Sequence, residues 1–280
     1  MPRDLKNIRQ AVLLGIGLLC IVLTLILWFT DEVQPHLLDF LVDPPLQIAQ
    51  LETRYLYGLL MAFSFFPVFL LSFDRQVAYY RQWKYLFPAI FLMAFPFIIW
   101  DVWYTRVGVW GFNEAYFSGL RILGLPIEEW LFFLVIPFAC VFIYENVRVK
   151  ARRDWYIRIE PWVSAGLLLF FVIAGFFAWG RIYSASSYIM SAGLLAFHMA
   201  YGNALIRARF FLAFYWSLIP FLIIDGVLTG IATKAPIVVY NPDEFLGWRI
   251  WTIPVDDAVY GMLLLFGVVI LMERFRQVKK

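Results

Sequence analysis

Residues 113–130, NEAYFSGLRILGLPIEEW, return 128 positions later as residues 241–258, NPDEFLGWRIWTIPVDDA. Both copies keep an asparagine, a glycine, an arginine and a proline at the same spacing, and both end in adjacent carboxylates that open an apolar run. The same offset aligns Glu145 and Arg148 with Glu273 and Arg276. The chain therefore contains an internal duplication, and each copy carries one acidic motif, at 126–129 and 254–257.

The composition predicts an integral membrane protein. Hydrophobic residues make up 63% of the chain and charged residues 15%, which is far from the usage of a soluble domain. Apolar runs of roughly 17 to 25 residues, the length that crosses a bilayer, predict eight helices. They lie near 11–29, 54–73, 86–104, 127–144, 161–180, 186–205, 211–230 and 253–272.

Basic residues are unequally divided between the two sides of this eight-helix arrangement. Of the 23 lysines and arginines, 17 fall in the two termini and in the alternate loops near 74–85, 145–160 and 206–210. The positive-inside rule then predicts a multi-pass protein of the inner or plasma membrane with both termini in the cytoplasm. The basic loop at 145–160 is explained as a cytoplasmic flank, so no nucleic-acid partner is predicted.

The repeats predict an all-α fold built from two tandem units of four helices, residues 1–148 and 149–280. Because four is an even number, both units must have the same orientation in the membrane. Pro96 aligns with Pro220 and Asp101 with Asp225 at an offset of 124, which extends the match to the third helix of each unit. Both acidic motifs are therefore expected on the same side of the bilayer, opposite the basic loops.

The paired acids are the candidate catalytic residues. They are Glu128, Glu129, Asp256 and Asp257. A proline suits the first helical position, which would place each pair in the first turn, beside the positive end of the helix dipole. Simple capping is the alternative, but retention of two acids in both copies favours a function. Such a pair can hold a proton and donate it, which is acid–base chemistry without a cofactor or a metal.

Further polar residues recur in both repeats and are candidates for supporting roles. They are Asn113 and Asn241, Arg121 and Arg249, and Asp101 and Asp225. The two aspartates are functional candidates because ionisable residues inside a membrane are costly, or they pair with Arg106, Arg121 or Arg249. Most aromatic residues fit an interfacial belt, whereas Trp130 and Tyr260 are candidates to face a pocket and stabilise a cation.

Pro126-Ile127-Glu128-Glu129 and Pro254-Val255-Asp256-Asp257, on tandem membrane repeats, resemble the Pro-x-Glu-(Glu/Asp) motif of small flavin-independent carotenoid cyclases. The resemblance is to the heterodimeric lycopene cyclase type, here in a fused single-chain form. It implies that the acids protonate a terminal double bond of lycopene and that the end groups close to β-ionone rings, giving γ-carotene and β-carotene. It also implies a lipophilic carotenoid substrate from the bilayer and no redox cofactor. Asp256 departs from the motif, which suggests that the two halves contribute unequally.

Other functions share parts of this pattern. A cyclase of fifty-carbon carotenoids or a carotenoid hydratase would use the same acids. A proton-coupled transporter would also explain parallel repeats with intramembrane acids, but it would need a polar path across the bilayer. Membrane lipids, a second copy of the chain and other carotenoid enzymes are the expected partners.

Overall fold

The structure is a computed structural model that describes residues 3–30, 46–151 and 155–278. These residues form eight α-helices, so the predicted all-α membrane fold is confirmed. The helices are α1 (Arg3–Thr30), α2 (Leu56–Leu71), α3 (Trp83–Val107), α4 (Ile127–Lys150), α5 (Glu160–Phe177), α6 (Ile182–Tyr201), α7 (Ala204–Leu228) and α8 (Val255–Val278). Of the basic residues behind the predicted orientation, Arg152, Arg153, Lys279 and Lys280 lie outside the described residues.

Within the described ranges, five helices are long and apolar enough to cross a membrane, namely α3, α4, α5, α7 and α8. Shorter apolar helical stretches lie in α1 (Gln10–Ile26) and at α2 (Leu56–Leu71). The remaining helix, α6, carries four buried serines within its first ten residues. Because α6 packs against α1, α5 and α8, its polar groups face protein, and the helix needs little apolar outer surface.

The two repeats interlock through their third and fourth helices. Helix α3 packs against α8 and α7 packs against α4, while α2 lies on α4 and α6 lies on α8. Two short antiparallel strands, β1 (Trp110–Phe112) and β4 (Val238–Tyr240), join the loops of the two repeats, with Gly111 opposite Val239. The loops that carry the acidic motifs therefore meet at one end of the bundle.

A two-stranded hairpin precedes each acid-bearing helix. The hairpins are β2 (Arg121–Ile122) with β3 (Leu125–Pro126), and β5 (Arg249–Ile250) with β6 (Ile253–Pro254). In the turn of the first hairpin, Leu123 has φ 54° and Gly124 has φ 94°, as tight hairpins require. The prolines close these hairpins, so the expectation that proline takes the first helical position is wrong. Helix α4 begins one residue later, and α8 does the same.

At the opposite end of the bundle, buried ion pairs connect the equivalent helices α4 and α8. Glu145 is fully buried and accepts from Arg148 at 2.7 Å and from Arg276 at 2.6 Å. Arg276 also pairs with Glu273, which accepts from Tyr144 at 3.0 Å. The residues that extend the repeat alignment therefore contact one another across the pseudo-symmetric interface.

The first helix of each repeat breaks this symmetry. Helix α1 packs against α6 of the other repeat, and Gly17 and Gly193 allow the two backbones to approach closely, as small residues do between membrane helices. Helix α5 also packs against α6, and α2 packs chiefly against α4. As a result α6 is enclosed, whereas α2 exposes large apolar side chains such as Phe63 and Leu70.

Candidate active site

A cavity of about 440 Å³ lies between α2, α4, α7 and α8, and α3 and α6 contribute one residue each. Its walls are apolar apart from a few polar groups, as is usual for small-molecule sites. Four carboxyl groups line it, those of Asp101, Glu129, Asp225 and Asp257. Among the described residues, no lysine, arginine or histidine lines this cavity.

Each repeat supplies two of the four carboxyl groups, one from its third helix and one from its acidic motif. Consecutive residues on an α-helix point about 100° apart, and in each motif only one of the two acids lines the cavity. Glu129 and Asp257 line it, whereas Glu128 and Asp256 are buried outside its lining. The second acid of each motif is therefore the one placed to meet a ligand.

The first acid of each motif holds the loop in front of its own helix. Glu128 Oε1 accepts a hydrogen bond from the backbone N–H of Ser118 at 2.8 Å. The equivalent N–H in the second repeat belongs to Leu246, and it donates to Ser184 Oγ at 2.9 Å. Ser184 in turn donates to Asp256 Oδ1 at 2.5 Å. Ser184 therefore links the Leu246 N–H to the shorter side chain of Asp256.

Replacing Ser184 with alanine is expected to lower the free energy of unfolding by about 1–3 kcal/mol, because it leaves buried polar partners unpaired. Ser187 on the same helix is the matched control, since its buried hydroxyl forms no hydrogen bond with any described residue. Ser187→Ala should change stability little. Thermal unfolding of the purified variants in detergent measures both, and equal losses would contradict the bridging role.

Tyrosine hydroxyls hold the second acids. Tyr57 donates to Glu129 Oε2, and Tyr183 donates to Asp257 Oδ1. Tyr57 and Tyr183 lie at equivalent places, near the starts of α2 and α6. Tyr240, from strand β4, donates to Asp257 Oδ2 at 2.8 Å. Burial and the nearby Asp257 carboxylate raise the pKa of Tyr240 well above its usual value, so its hydroxyl keeps its proton and remains a donor.

The two second acids differ in how many of their oxygens are engaged. Both oxygens of Asp257 accept tyrosine hydroxyls. Glu129 accepts one hydroxyl on Oε2, and within the described part of the chain its Oε1 has no hydrogen-bond partner. One oxygen of Glu129 is therefore free for a ligand in the cavity. These tyrosines were not predicted from the sequence, although Tyr57 and Tyr183 occupy equivalent places in the two repeats.

The third-helix aspartates lie beside these acids. Asp101 is buried and accepts from the indole N–H of Trp110 at 2.6 Å. Asp225 lies next to Asp257. Neither aspartate forms an ion pair with an arginine among the residues that the structure describes. Both therefore add carboxyl groups to the cavity, and a catalytic role for them stays a prediction.

The arginines of the motif lie outside the cavity lining and brace the hairpins. Arg121 donates to the carbonyl oxygen of Gly124 in the turn of its own hairpin at 2.8 Å, and Arg249 donates to that of Thr252 in the second hairpin. Their guanidinium groups also lie 4.7 and 4.8 Å from equivalent phenylalanine rings. The structure thus places both arginines where they fix the entry of the acid-bearing helix.

The two asparagines stabilise the contact between the motif loops of the two repeats. The backbone N–H of Asn113 donates to Ile237 O, and that of Asn241 donates to Val109 O, each at 2.8 Å. The Asn113 side chain also donates to Pro236 O at 3.2 Å. These contacts extend the pairing of β1 with β4, so the asparagines hold the two motif loops together without lining the cavity.

Of the two candidate aromatic residues, Tyr260 lines the cavity. Its ring packs against Phe97 at 5.0 Å and Trp100 at 5.3 Å between centroids, and its hydroxyl has no hydrogen-bond partner among the described residues. Trp130 instead donates its indole N–H to Ile122 O and stays outside the lining. Tyr260 is therefore the ring placed to face a ligand near Asp257.

A protein-family model described as Lycopene cyclase matches the chain twice, at residues 54–147 and 180–275. No curated protein and no solved structure matches it. Each matched segment contains the second, third and fourth helices of one repeat together with its acidic motif. Helices α1 and α5, which break the pseudo-symmetry, lie outside the match.

Proposed function

Because this chain belongs to the lycopene cyclase family, we propose that it closes the linear end groups of lycopene to β-ionone rings. Family membership makes the protein a carotenoid cyclase, an integral membrane enzyme of carotenoid biosynthesis. The β-ring product and the roles of individual residues are our proposal. The observation that carries it is the placement of Glu129 and Asp257, one from each repeat, on the wall of a single apolar cavity.

Ring closure adds one proton to the substrate and later removes one proton from it. The acid adds a proton to the terminal double bond, the neighbouring double bond attacks the resulting cation, and the new bond closes the ring. The ring cation then loses a proton from a carbon beside the positive centre. The product is an isomer of the substrate and no electrons are exchanged with another molecule, so the reaction needs no redox partner.

Glu129 is the proposed proton donor. Its Oε1 is free towards the cavity while Tyr57 fixes the other oxygen, which aims one O–H at the substrate. No cation lines the cavity among the described residues, and an unpaired carboxylate is costly in an apolar place. A neutral acid that carries its proton suits this position.

Asp257 is the proposed base and charge stabiliser. Two tyrosine hydroxyls donate to its oxygens, and hydrogen bonds of this kind favour the charged form of a carboxyl. A carboxylate here would face the ring cation and could take the proton that leaves it. Tyr260, one helical turn further on, adds an aromatic face that attracts a desolvated cation by roughly 2 kcal/mol. The apolar walls keep water from the cation.

We also propose, as further parts of this function, that the substrate comes from the bilayer and that both termini face the cytoplasm. The apolar cavity supports the first proposal, and the distribution of basic residues supports the second. Contact with a second copy of the chain or with other carotenoid enzymes, and the division into units at residue 148, stay predictions.

The intact chain is expected to convert lycopene to γ-carotene and β-carotene when it is produced in cells that accumulate lycopene. Pigment analysis by chromatography measures the conversion, with cells that carry the empty vector as the baseline. Unchanged lycopene in cells whose membranes contain the protein would contradict β-cyclase activity. Products with an added hydroxyl would identify a hydratase, and reaction with a fifty-carbon carotenoid alone would identify a cyclase of longer substrates.

A further inference from the structure

The repeat symmetry gives each acid-bearing helix an equivalent partner, yet the two resulting grooves differ. On α7, the side chains of Ser217, Ile224 and Asp225 line the cavity. At the offset of 124, their equivalents on α3 are Met93, Trp100 and Asp101, and of these Asp101 alone lines the cavity. The same helix face is thus open in one repeat and closed in the other.

Large side chains fill the groove between α3 and α8. Met93 lies so close to Gly267 that a Cβ at this glycine would collide with it. The Trp100 ring lies 5.3 Å from Tyr260 on α8 and 5.6 Å from Trp28 on α1, measured between centroids. Side chains from three helices therefore occupy the space that a ligand would need in this half.

Two positions of α7 in the groove between α4 and α7 hold smaller residues than their equivalents on α3. Ser217 stands where α3 has Met93, and Ile224 stands where α3 has Trp100. The lining residues on α4 run from Glu129 to Ile143. With a rise of about 1.5 Å per residue, this groove is roughly 21 Å long, and the carboxyl groups lie at one end of it.

The open groove reaches the outer surface of the bundle. Phe63 and Pro67 on α2 and Pro220 on α7 line the cavity and are also exposed. In this protein the outer surface at mid-helix faces lipid. The opening exists where α2 packs chiefly on α4, whereas α1 and α5 both cover the equivalent helix α6. The broken symmetry of the first helices thus leaves one side open.

We propose that the cavity is a lateral slot that binds the polyene chain along α4 and α7 and admits one end group at a time from the bilayer. The slot opens between Phe63 on α2 and Pro220 on α7, and Ser217 is the position that keeps it open. This inference rests on the proposed function for the identity of the polyene. It adds that the second ring forms after the half-cyclised molecule has left and returned the other way round.

Substitution of Ser217 by methionine copies the closed groove and is expected to block the slot. Cyclisation should fall roughly a hundredfold, since displacing a substrate by about 1 Å can have this effect. Ile219→Met is the control for a methionine on α7, since Ile219 is exposed on the outer surface. Ala139→Leu, from the opposite wall, should block the slot independently.

A binding measurement separates this inference from the proposed chemistry. In the Glu129→Gln background, lycopene that copurifies with the protein in nanodiscs is measured by absorbance per polypeptide. We expect the Ser217→Met and Ala139→Leu changes to remove most of it and the Ile219→Met change to keep it, at equal membrane abundance. If binding depends on the slot but the intact chain does not cyclise lycopene, the proposed function is overturned and the slot is not. Full activity and full binding in both blocked variants would overturn the slot.

Discussion

Replacement of Glu129 by glutamine is expected to lower cyclisation by roughly 10²–10⁴-fold, the range that a positioned acid contributes. Glutamine keeps the shape of the side chain and can still accept a hydrogen bond from Tyr57, but it has no proton to give to an alkene. Glu128→Gln should cost less than about tenfold, because its carbonyl oxygen can accept the same backbone hydrogen bond from Ser118. Pigment analysis at matched membrane abundance measures both variants.

The Glu128 and Glu129 variants together distinguish an acid that acts on the substrate from one that holds the loop. Glu114→Gln serves as the surface control, since the side chain of Glu114 is 81% exposed in its ion pair with Arg121 and exposed pairs contribute little. Equal, large losses in the Glu128 and Glu129 variants would show that both acids act on the substrate. Full activity of Glu129→Gln would assign the proton donor to another residue of the cavity, with Asp101 and Asp225 as the nearest candidates.

The helices and their tandem arrangement could be predicted because long apolar runs and a repeated motif leave few alternatives. Two of the four acids that the motifs singled out, Glu129 and Asp257, line the cavity, and their catalytic role stays a prediction. The choice between the two acids of a pair could not be made from the sequence. It depends on the rotation of α4 and α8 about their axes, and these helices are apolar nearly all round, so the sequence does not fix that rotation.

The hairpins and the pairing of β1 with β4 could not be predicted, for a different reason. Strands of two or three residues are too short to show a periodic pattern, and the pairing of Gly111 with Val239 joins residues far apart in the chain. Without the hairpins, the arginines could be assigned only the roles that their charge suggests, such as pairing with the aspartates. In the structure, Arg121 and Arg249 brace a turn, which is a local role that charge alone does not reveal.

The tyrosines that hold the acids were the main omission. Tyr57 and Tyr183 are two of 15 tyrosines, and in a membrane protein an interfacial position explains most of them. An alignment of α2 with α6 would pair the two tyrosines. The sequences of these two helices are only weakly similar, so the pairing is not evident without the structure. The shared feature is one hydroxyl near the start of each helix, and its partner becomes visible only when the helices are packed.

Replacement of Asp257 by asparagine is expected to lower turnover by about 10²-fold and to change the ratio of ring types in the remaining product. The position from which the ring cation loses its proton decides between β, ε and γ rings, so a base that is lost or displaced should alter this choice. The amide of asparagine also cannot accept hydroxyls from both Tyr183 and Tyr240, because one of its two polar atoms is a donor.

The ring-type ratio distinguishes Asp257 from the proton donor. Residual product of Glu129→Gln should keep the ratio of the intact enzyme, because the donor acts before the ring forms. Asp256→Asn is the matched control, since its carbonyl oxygen can still accept from Ser184, and its turnover should stay within about tenfold of the intact enzyme. Tyr240→Phe should shift the ratio in the same direction as Asp257→Asn, though less, because it removes one of the two hydroxyls that orient the base. An unchanged ratio in a slow Asp257→Asn enzyme would mean that another group takes the proton and that Asp257 acts on the cation through its charge.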